Sequence, residues 1–145
     1  MLVADASAVV EILMATPAGF AIEQRMFGSD EPVAAPHLID VEVLHVIRRF
    51  RRTKQLTAAR AEEALDDFGA LAIIRYGHEI LRPAMWRLRD NLTAYDAAYV
   101  ALAEVLDAPI VTCDAKLARS GGHGVRFRLY PAPERGADSG GSSAP

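Results

Sequence analysis

The sequence is poor in cysteine, in long apolar runs and in excess positive charge, and each shortage excludes a class of protein. The single cysteine, Cys113, excludes an internal disulfide framework and a cysteine-rich metal site, and it fits a reducing compartment. No apolar run approaches the length of a membrane-spanning helix, and we see neither a basic leader nor a cleavage site. We therefore expect a cytoplasmic protein with no membrane partner. The net charge of −3 excludes a uniformly basic nucleic-acid binder, but not a local basic surface.

What the sequence does contain is enough apolar material for one core. The chain has 145 residues, of which 51% are hydrophobic, so we expect a single domain. From residue 131 onward the sequence reads "PAPERGADSGGSSAP", which is rich in Pro, Gly, Ser and Ala and has no periodicity. Such a composition predicts a disordered tail over 131–145, after a folded domain over 1–130.

Short apolar segments alternate with helical patterns along the folded part. The spacing of apolar residues and the positions of Pro, Gly and cap residues predict strands at 2–5, near 33, at 70–74, from 109 and at 125–130. Helices are predicted at 6–14, 20–26, 37–52, 57–69, 77–89, 93–106 and 115–120, with Pro36 in the first turn of the third. This alternation predicts an α/β fold with a short, mainly parallel sheet and helices on both of its faces.

Acidic residues stand where such a fold would bring them together. Asp5 and Asp114 each follow a predicted strand, Glu42 lies within an apolar helix, and Asp96 lies in the first turn of the 93–106 helix. Open parallel sheets bind ligands outside the carboxyl ends of their strands. If the two helices lie beside the sheet, four carboxylates can meet in one pocket.

A pocket of this kind predicts a divalent metal ion. Two carboxylates about 4 Å apart repel each other by roughly 4 kcal/mol at an effective dielectric constant near 20, and a bound cation reverses that balance. Oxygen ligands without His or Cys favour Mg²⁺ or Mn²⁺ over Zn²⁺. Such an ion keeps open positions that suit phosphate oxygens, so hydrolysis of a phosphodiester is the chemistry expected.

Simpler interpretations exist for each acid taken singly. Asp5 and Asp114 could serve only as helix N-caps, and Asp96, three residues after Thr93, could serve only in an acidic variant of the capping box. Glu42 could pair with His45 or Arg49 at helical spacing. Asp40 lies two residues from Glu42, so only one of the two can face a given site, and the spacing does not decide which. Ser7 and Thr112 lie two residues from strand-end acids. Their hydroxyl groups could orient those carboxylates by hydrogen bonds without binding the metal themselves.

Three stretches carry a family resemblance. "VADASAVVE", "VEVLHVIRR" and "LTAYDAAYVALAEVLDAPIVTCDAKLA" resemble the PIN domain, and most closely the VapC-type toxins of toxin–antitoxin pairs. The resemblance spans Met1 to about Tyr130 and implies a PIN-like three-layer α/β/α fold. It implies that the four family acids are Asp5, Glu42, Asp96 and Asp114, as both catalytic residues and metal ligands, and so decides between Glu42 and Asp40.

The same resemblance implies activity and partners. It implies an endoribonuclease toxin that depends on Mg²⁺ or Mn²⁺ and hydrolyses RNA phosphodiester bonds. It also implies a cognate VapB-type antitoxin that neutralises the toxin, and a homodimer within a larger hetero-oligomer. No acid of the family pattern is missing, so nothing in the sequence indicates an inactive member.

Basic residues suggest where RNA would bind. The run "RRFRRTK" places Arg48, Arg49, Arg51 and Arg52 at the end of the Glu42 helix, either as phosphate contacts or as a solvated helix end. In the same run Phe50 is expected to pack in the core more than to stack on a base.

A second basic group comes later in the chain. It contains Arg82, Arg87 and Arg89, and Asn91 could reach the acidic pocket from the loop that follows. Trp86 is expected to pack in the core.

Two other functions remain open on the sequence. A Mg²⁺-dependent phosphatase or receiver domain also uses aspartates at strand ends. A phosphatase of the haloacid-dehalogenase type would need a second Asp where Ser7 stands, and a receiver would need a more distant Lys than Lys116. The second alternative is a catalytically silent PIN-like module that binds RNA or protein without cutting.

Overall fold

Strands and helices alternate throughout the computed structural model, which describes residues 1–131. The strands are β1 (Leu2–Ala4), β2 (Val33–Pro36), β3 (Ile73–Tyr76), β4 (Ile110–Thr112) and β5 (Phe127–Leu129). The helices are α1 (Ala6–Leu13), α2 (Pro17–Phe27), α3 (Leu38–Arg52), α4 (Ala58–Ala70), α5 (Arg82–Arg87), α6 (Ala94–Leu106) and α7 (Ala115–Ala118). The disordered tail predicted from residue 131 lies, except for Pro131, outside the described residues.

The five strands form one parallel sheet in the order β3-β2-β1-β4-β5. The register places Val3 beside both Ala34 of β2 and Ile110 of β4. Parallel neighbours need a crossover between them, and the helices supply it. The α/β fold with a mainly parallel sheet is therefore confirmed, and every strand pair in it is parallel.

Helices cover both faces of the sheet, because successive side chains of the central strand enter different cores. Leu2 and Ala4 pack into a core with helices α1 to α4. Val3 packs into a second core that is built mainly on α6 and includes Leu81 and Leu117. A strand that is buried on both faces needs apolar residues at every position, which is why "LVA" does not alternate.

The topology creates a crevice beside β1. The chain builds β2 and β3 on one side of β1 and then crosses to build β4 and β5 on the other. In parallel sheets, ligands bind at the carboxyl ends of the strands where the direction of winding reverses. Asp5 follows β1 directly, and Asp114 comes two residues after the end of β4.

Two predicted boundaries near proline residues are wrong. Helix α2 begins at Pro17, not at residue 20, because the Thr16 hydroxyl accepts a hydrogen bond from the Gly19 N–H (3.0 Å). Proline suits the first turn because the N–H that it lacks would have no intrahelical partner there. Pro36 ends β2 and does not open α3.

Two segments in the middle of the chain also differ from the prediction. Helix α4 runs to Ala70, so β3 begins only at Ile73, where it pairs with Val33. The helix predicted over 77–89 is a 3-10 turn (Glu79–Leu81) followed by the short α5.

Within residues 1–131 no single helix is long and apolar enough to cross a membrane; by length and composition only the bent pair of α1 and α2 meets that test.

Candidate active site

A cavity of about 560 Å³ opens at the carboxyl ends of β1 and β4. Its wall includes all four acids predicted from the sequence, namely Asp5, Glu42, Asp96 and Asp114. Two of them come from strand ends and two from helices α3 and α6. The structure therefore brings together four side chains that lie far apart along the chain.

Asp5 is the most deeply placed of the four, with 7% of its surface exposed. Its Oδ2 atom accepts hydrogen bonds from Ser7 Oγ (2.5 Å) and Thr112 Oγ1 (2.8 Å). Although Asp5 occupies the N-cap position of α1, its side chain makes no capping hydrogen bond. The interpretation of Asp5 as only a helix cap is therefore wrong.

The hydroxyl groups of Ser7 and Thr112 join the two strand ends. They lie 3.2 Å apart, and each also accepts a backbone N–H, from Cys113 (2.9 Å) and Asp114 (2.9 Å) respectively. One small network thus fixes the Asp5 carboxylate and the backbone that leads into Asp114. Ser7 and Thr112 thus both orient the Asp5 carboxylate, and Ser7 also lines the cavity itself.

Glu42 is oriented by a residue that the sequence does not single out. Tyr99 of α6 is buried, and its hydroxyl donates a hydrogen bond to Glu42 Oε2. This contact replaces the pairing with His45 or Arg49 that spacing allows. The available signal is that Tyr99 lies three residues after Asp96, on the same side of a helix that is otherwise rich in alanine.

Asp40 does not line the cavity and forms an ion pair with Arg75. Arg75 of β3 approaches it with Nε and Nη2, each 2.9 Å from Asp40 Oδ1. The guanidinium of Arg75 also lies over the ring of Phe68, 5.1 Å from its centroid. Asp40 therefore has a structural partner on the β3 side, while Glu42 lines the cavity.

Both of the other acids lie at helix starts, but only Asp114 is itself a cap. Asp114 Oδ1 caps α7 by accepting the N–H groups of Lys116 (2.8 Å) and Leu117 (3.1 Å). At α6 the cap is Thr93, whose hydroxyl accepts the Asp96 N–H (3.2 Å). Asp114 uses one carboxylate oxygen as the cap, so capping and a place in the cavity wall are compatible.

The acids influence one another's ionisation. Burial is the main cause that raises the pKa of Asp5, Glu42 and Asp96 above their ordinary values. Repulsion from Asp114 raises the pKa of Asp5 and Asp96 further, and repulsion from Asp5 and Asp96 raises that of Glu42. The hydroxyl bonds to Asp5 and the Tyr99 bond to Glu42 oppose the rise. The cavity is thus a place where negative charge is concentrated and poorly solvated.

The donor set fits a hard divalent cation. Within residues 1–131, no three His, Cys, Asp or Glu side chains are placed as a ready-made metal cage. Mg²⁺ does not need such a cage, because it binds through one or two carboxylates and retains several waters. Four carboxylates around one cavity, with hydroxyls behind them, supply the hard oxygens that such an ion prefers.

Two further residues, Asn91 and Cys113, do not line the acidic cavity. Asn91 lies against the loop at Gly122, where a Cβ atom would come within 2.6 Å of the Asn91 Oδ1. Gly122 also has a φ of 86°, a conformation that favours glycine, so both the close contact and the backbone conformation require glycine here. Cys113 is half-buried, and burial followed by the nearby Asp5 raises its thiol pKa to about 11, which excludes a reactive thiolate at neutral pH.

The arginine run of α3 is exposed but divided between two surfaces. Arg48 and Arg51 line a groove against α4, whereas Arg49 lines a small cleft that also includes Ser7. Arg52 is exposed at the helix end. Phe50 is buried as expected, which leaves no ring face for a base.

The chain is similar to known proteins in family, in sequence and in fold. The PIN domain profile matches residues 2–122. Ribonuclease VapC12 of Mycobacterium tuberculosis is 39% identical over 129 residues, which cover 89% of this chain and 98% of that protein. Ribonuclease VapC1 of the same organism is 42% identical over 128 residues, 88% of this chain and 96% of that protein.

Among solved structures, VapBC2 from Rickettsia felis, bound to a DNA fragment from its promoter, matches with a TM-score of 0.60. The match covers 89% of this chain and 98% of the other at 12% identity. At that identity the match supports the fold alone.

Proposed function

This chain belongs to the PIN domain family, and from that premise we propose that it is an endoribonuclease toxin of the VapC type that depends on Mg²⁺ or Mn²⁺. The observation that carries the proposal is the meeting of Asp5, Glu42, Asp96 and Asp114 around one cavity at the carboxyl edge of the sheet. Support for RNA as substrate comes from the ribonucleases to which the chain is 39% and 42% identical over most of its length.

We assign the four acids to binding the cation and to orienting what it holds. Hydroxyl groups fix Asp5, the Tyr99 phenol fixes one oxygen of Glu42, and backbone N–H groups of α7 fix one oxygen of Asp114. The second oxygen of Glu42 and that of Asp114 are the ones we assign to the ion. When bound, Mg²⁺ or Mn²⁺ would supply a water of lowered pKa and neutralise charge on the phosphate.

The carboxylates are held in place before the cation and the substrate bind. Fixed carboxylates need no rearrangement when substrate binds, and this preorganisation is what makes such groups effective. Because a cation binds the ionised carboxylates, and the pKa values of Asp5, Glu42 and Asp96 are raised, cation binding is more strongly coupled to deprotonation here than at ordinary carboxylates.

The proposal also includes a protein partner, an oligomeric state and a cellular location. The partner is a cognate VapB-type antitoxin, as the similarity to the VapC ribonucleases implies. A homodimer within a hetero-oligomer and a cytoplasmic location are further parts of the proposal. Copurification of the full chain with the product of a neighbouring small reading frame would test the partner directly.

Metal-dependent cleavage is the first test, and it uses the purified full chain with single-stranded RNA. We expect products with Mg²⁺ or Mn²⁺ and none with EDTA. Asp5→Asn and Asp96→Asn should each lower the cleavage rate at least about a hundredfold, since each removes a ligand of the ion. Asp40→Asn is the matched control: the same chemical change outside the cavity should leave the rate within about threefold.

Other outcomes identify the alternatives. Cleavage that persists in EDTA or in both Asn variants would contradict the assignment of the acids. RNA that is bound but never cut would indicate a silent binding module. Hydrolysis of p-nitrophenyl phosphate in place of RNA would indicate a phosphatase.

A further inference from the structure

A second cleft, of about 540 Å³, lies next to the acidic cavity. We call it the tryptophan cleft; its wall includes Arg82, Trp86 and Arg89 from the region of α5, and Thr93 and Ala94 from the start of α6. The charged residues in this wall are both arginines. The cleft therefore combines positive charge with a large aromatic side chain, beside a cavity lined by acids.

Trp86 does not pack in the core, contrary to the expectation from the sequence. It is 70% exposed, and no residue of α5 is buried. The guanidinium of Arg89 lies over its ring, 4.9 Å from the centroid, and Arg89 Nη1 donates to the Trp86 carbonyl (2.9 Å). The fold thus holds an indole in place at the surface without using it to stabilise the interior.

The ion pairs that the two arginines form with acidic side chains are long and exposed. Arg82 lies 3.6 Å from Glu79, and Arg89 lies 3.9 Å from Asp90, with all four side chains substantially exposed. Exposed pairs at such distances contribute little free energy. A phosphate group can therefore compete for either guanidinium at small cost.

The cleft and the acidic cavity both reach the first turn of α6. Thr93 and Ala94 line the cleft, and the next two residues, Tyr95 and Asp96, line the cavity. The Thr93 hydroxyl accepts the Asp96 N–H, so the first turn of α6 joins both spaces rigidly. A ligand that lies in the cleft against Thr93 is therefore within one helical turn of Asp96.

We propose that the tryptophan cleft binds single-stranded RNA beside the acids, with a base stacked on the Trp86 indole and phosphates contacted by Arg82 and Arg89. This inference rests on the proposed ribonuclease function. Aromatic rings next to arginines are how proteins bind single strands without reading their sequence, and the arginines neutralise the phosphate charge.

The protein carries its own reporter for this site, because Trp86 is its only tryptophan. The full chain in EDTA, where no cleavage is expected, is titrated with an oligouridylate while tryptophan emission is recorded. We expect the RNA to quench the emission, and inorganic polyphosphate, which has charge but no bases, to leave it nearly unchanged. Binding is followed in parallel by the anisotropy of the labelled RNA.

Two outcomes would overturn the proposal. One is that the anisotropy shows no RNA binding, or shows binding while the tryptophan emission does not change. The other is emission that changes with protein concentration alone, which would identify the cleft as a contact between protein chains. Neither outcome affects the ribonuclease proposal, which is judged by cleavage with Mn²⁺.

Variants test the same point without fluorescence. Trp86→Ala should raise the Kd for RNA at least about fivefold, the effect of losing one base–aromatic stack. Trp86→Phe, which keeps a stacking face, should restore most of the affinity. Phe20→Ala, which removes an aromatic that is 59% exposed on α2, should leave the Kd within about twofold. Equal affinities for Trp86→Ala and the wild type would contradict the proposal.

Discussion

At the scale of single residues, Glu42 is held by a side chain from another helix. Tyr99 is 1% exposed, and its hydroxyl donates to Glu42 Oε2. Burial and the neighbouring carboxylates raise the pKa of Tyr99 far above its ordinary value, so the phenol keeps its proton at any physiological pH. Tyr99 is therefore a constant hydrogen-bond donor that sets the direction of Glu42.

Tyr99→Phe tests this positioning role, because it removes one oxygen and keeps the ring. We expect the affinity for Mn²⁺, measured by titration calorimetry, to fall about tenfold, the lower end of the range for losing a group that orients a ligand. Stability should fall by about 1 kcal/mol, since a half-buried carboxylate loses a hydrogen bond. Tyr95→Phe, the same change at an exposed tyrosine of the cavity wall, is the control. Equal Mn²⁺ affinities in the two variants would contradict the role.

The same residues show what a sequence can predict about a site. Asp5 and Asp114 follow from strand ends alone, because the fold class fixes where parallel strands deliver their next residue. Spacing could not choose between Asp40 and Glu42; the family resemblance chose Glu42, and in the structure Asp40 pairs with Arg75, 35 positions away. Contacts of that kind depend on the three-dimensional arrangement of α3, β3 and α6, which no local pattern contains.

At the scale of elements, three helices begin with a threonine cap, and one of these caps has a second task. Thr57 accepts the Arg60 N–H (3.1 Å) at the start of α4. Thr16 accepts the Gly19 N–H at the start of α2, and its hydroxyl also donates to Oε2 of the buried Glu11 (2.6 Å). Thr16 thus links the α2 start to a carboxylate inside the protein.

Replacing the two caps should therefore have unequal effects. Thr57→Ala should lower the free energy of unfolding by about 1 kcal/mol, the usual effect of losing a cap. Thr16→Ala should lower it by about 2–3 kcal/mol, because the buried carboxyl group of Glu11 also loses a hydrogen-bond partner. Urea unfolding of both variants measures the difference, and Thr16→Ser should restore most of the stability. Equal losses in the two alanine variants would show that the Glu11 bond contributes nothing.

Element boundaries were predictable where the chain marks them locally. The threonines before α4 and α6 gave the correct helix starts, since a cap is a property of neighbouring residues. The start of β3 was not predictable in this way, because Ala70 and Leu71 are as apolar as the strand itself. Pairing with β2, which aligns Val33 with Ile73, determines where that strand begins.

At the scale of the whole molecule, folding gathers negative charge at one place. Asp5, Glu42 and Asp96 have pKa values raised mainly by burial, so the folded protein holds their protons more tightly than the unfolded chain does. Between the unfolded and folded pKa values the native state binds more protons, and its stability must fall as pH rises through that interval. A cation that binds only the ionised carboxylates opposes this loss, and it does so more strongly at higher pH.

Stability should therefore depend on pH and metal together, and Asp5→Asn isolates the effect. In EDTA, the wild type should lose stability relative to Asp5→Asn as the pH is raised from about 5 to about 7.5. The reason is that Asp5→Asn has no carboxylate to ionise at this position. Mn²⁺ at about a hundred times its Kd should stabilise the wild type by about 2.7 kcal/mol near pH 7.5 and by less near pH 5. The variant should gain little at either pH. A metal-induced rise in Tm that is equal in both proteins, or larger at the lower pH, would mean that the cation binds elsewhere than at these carboxylates.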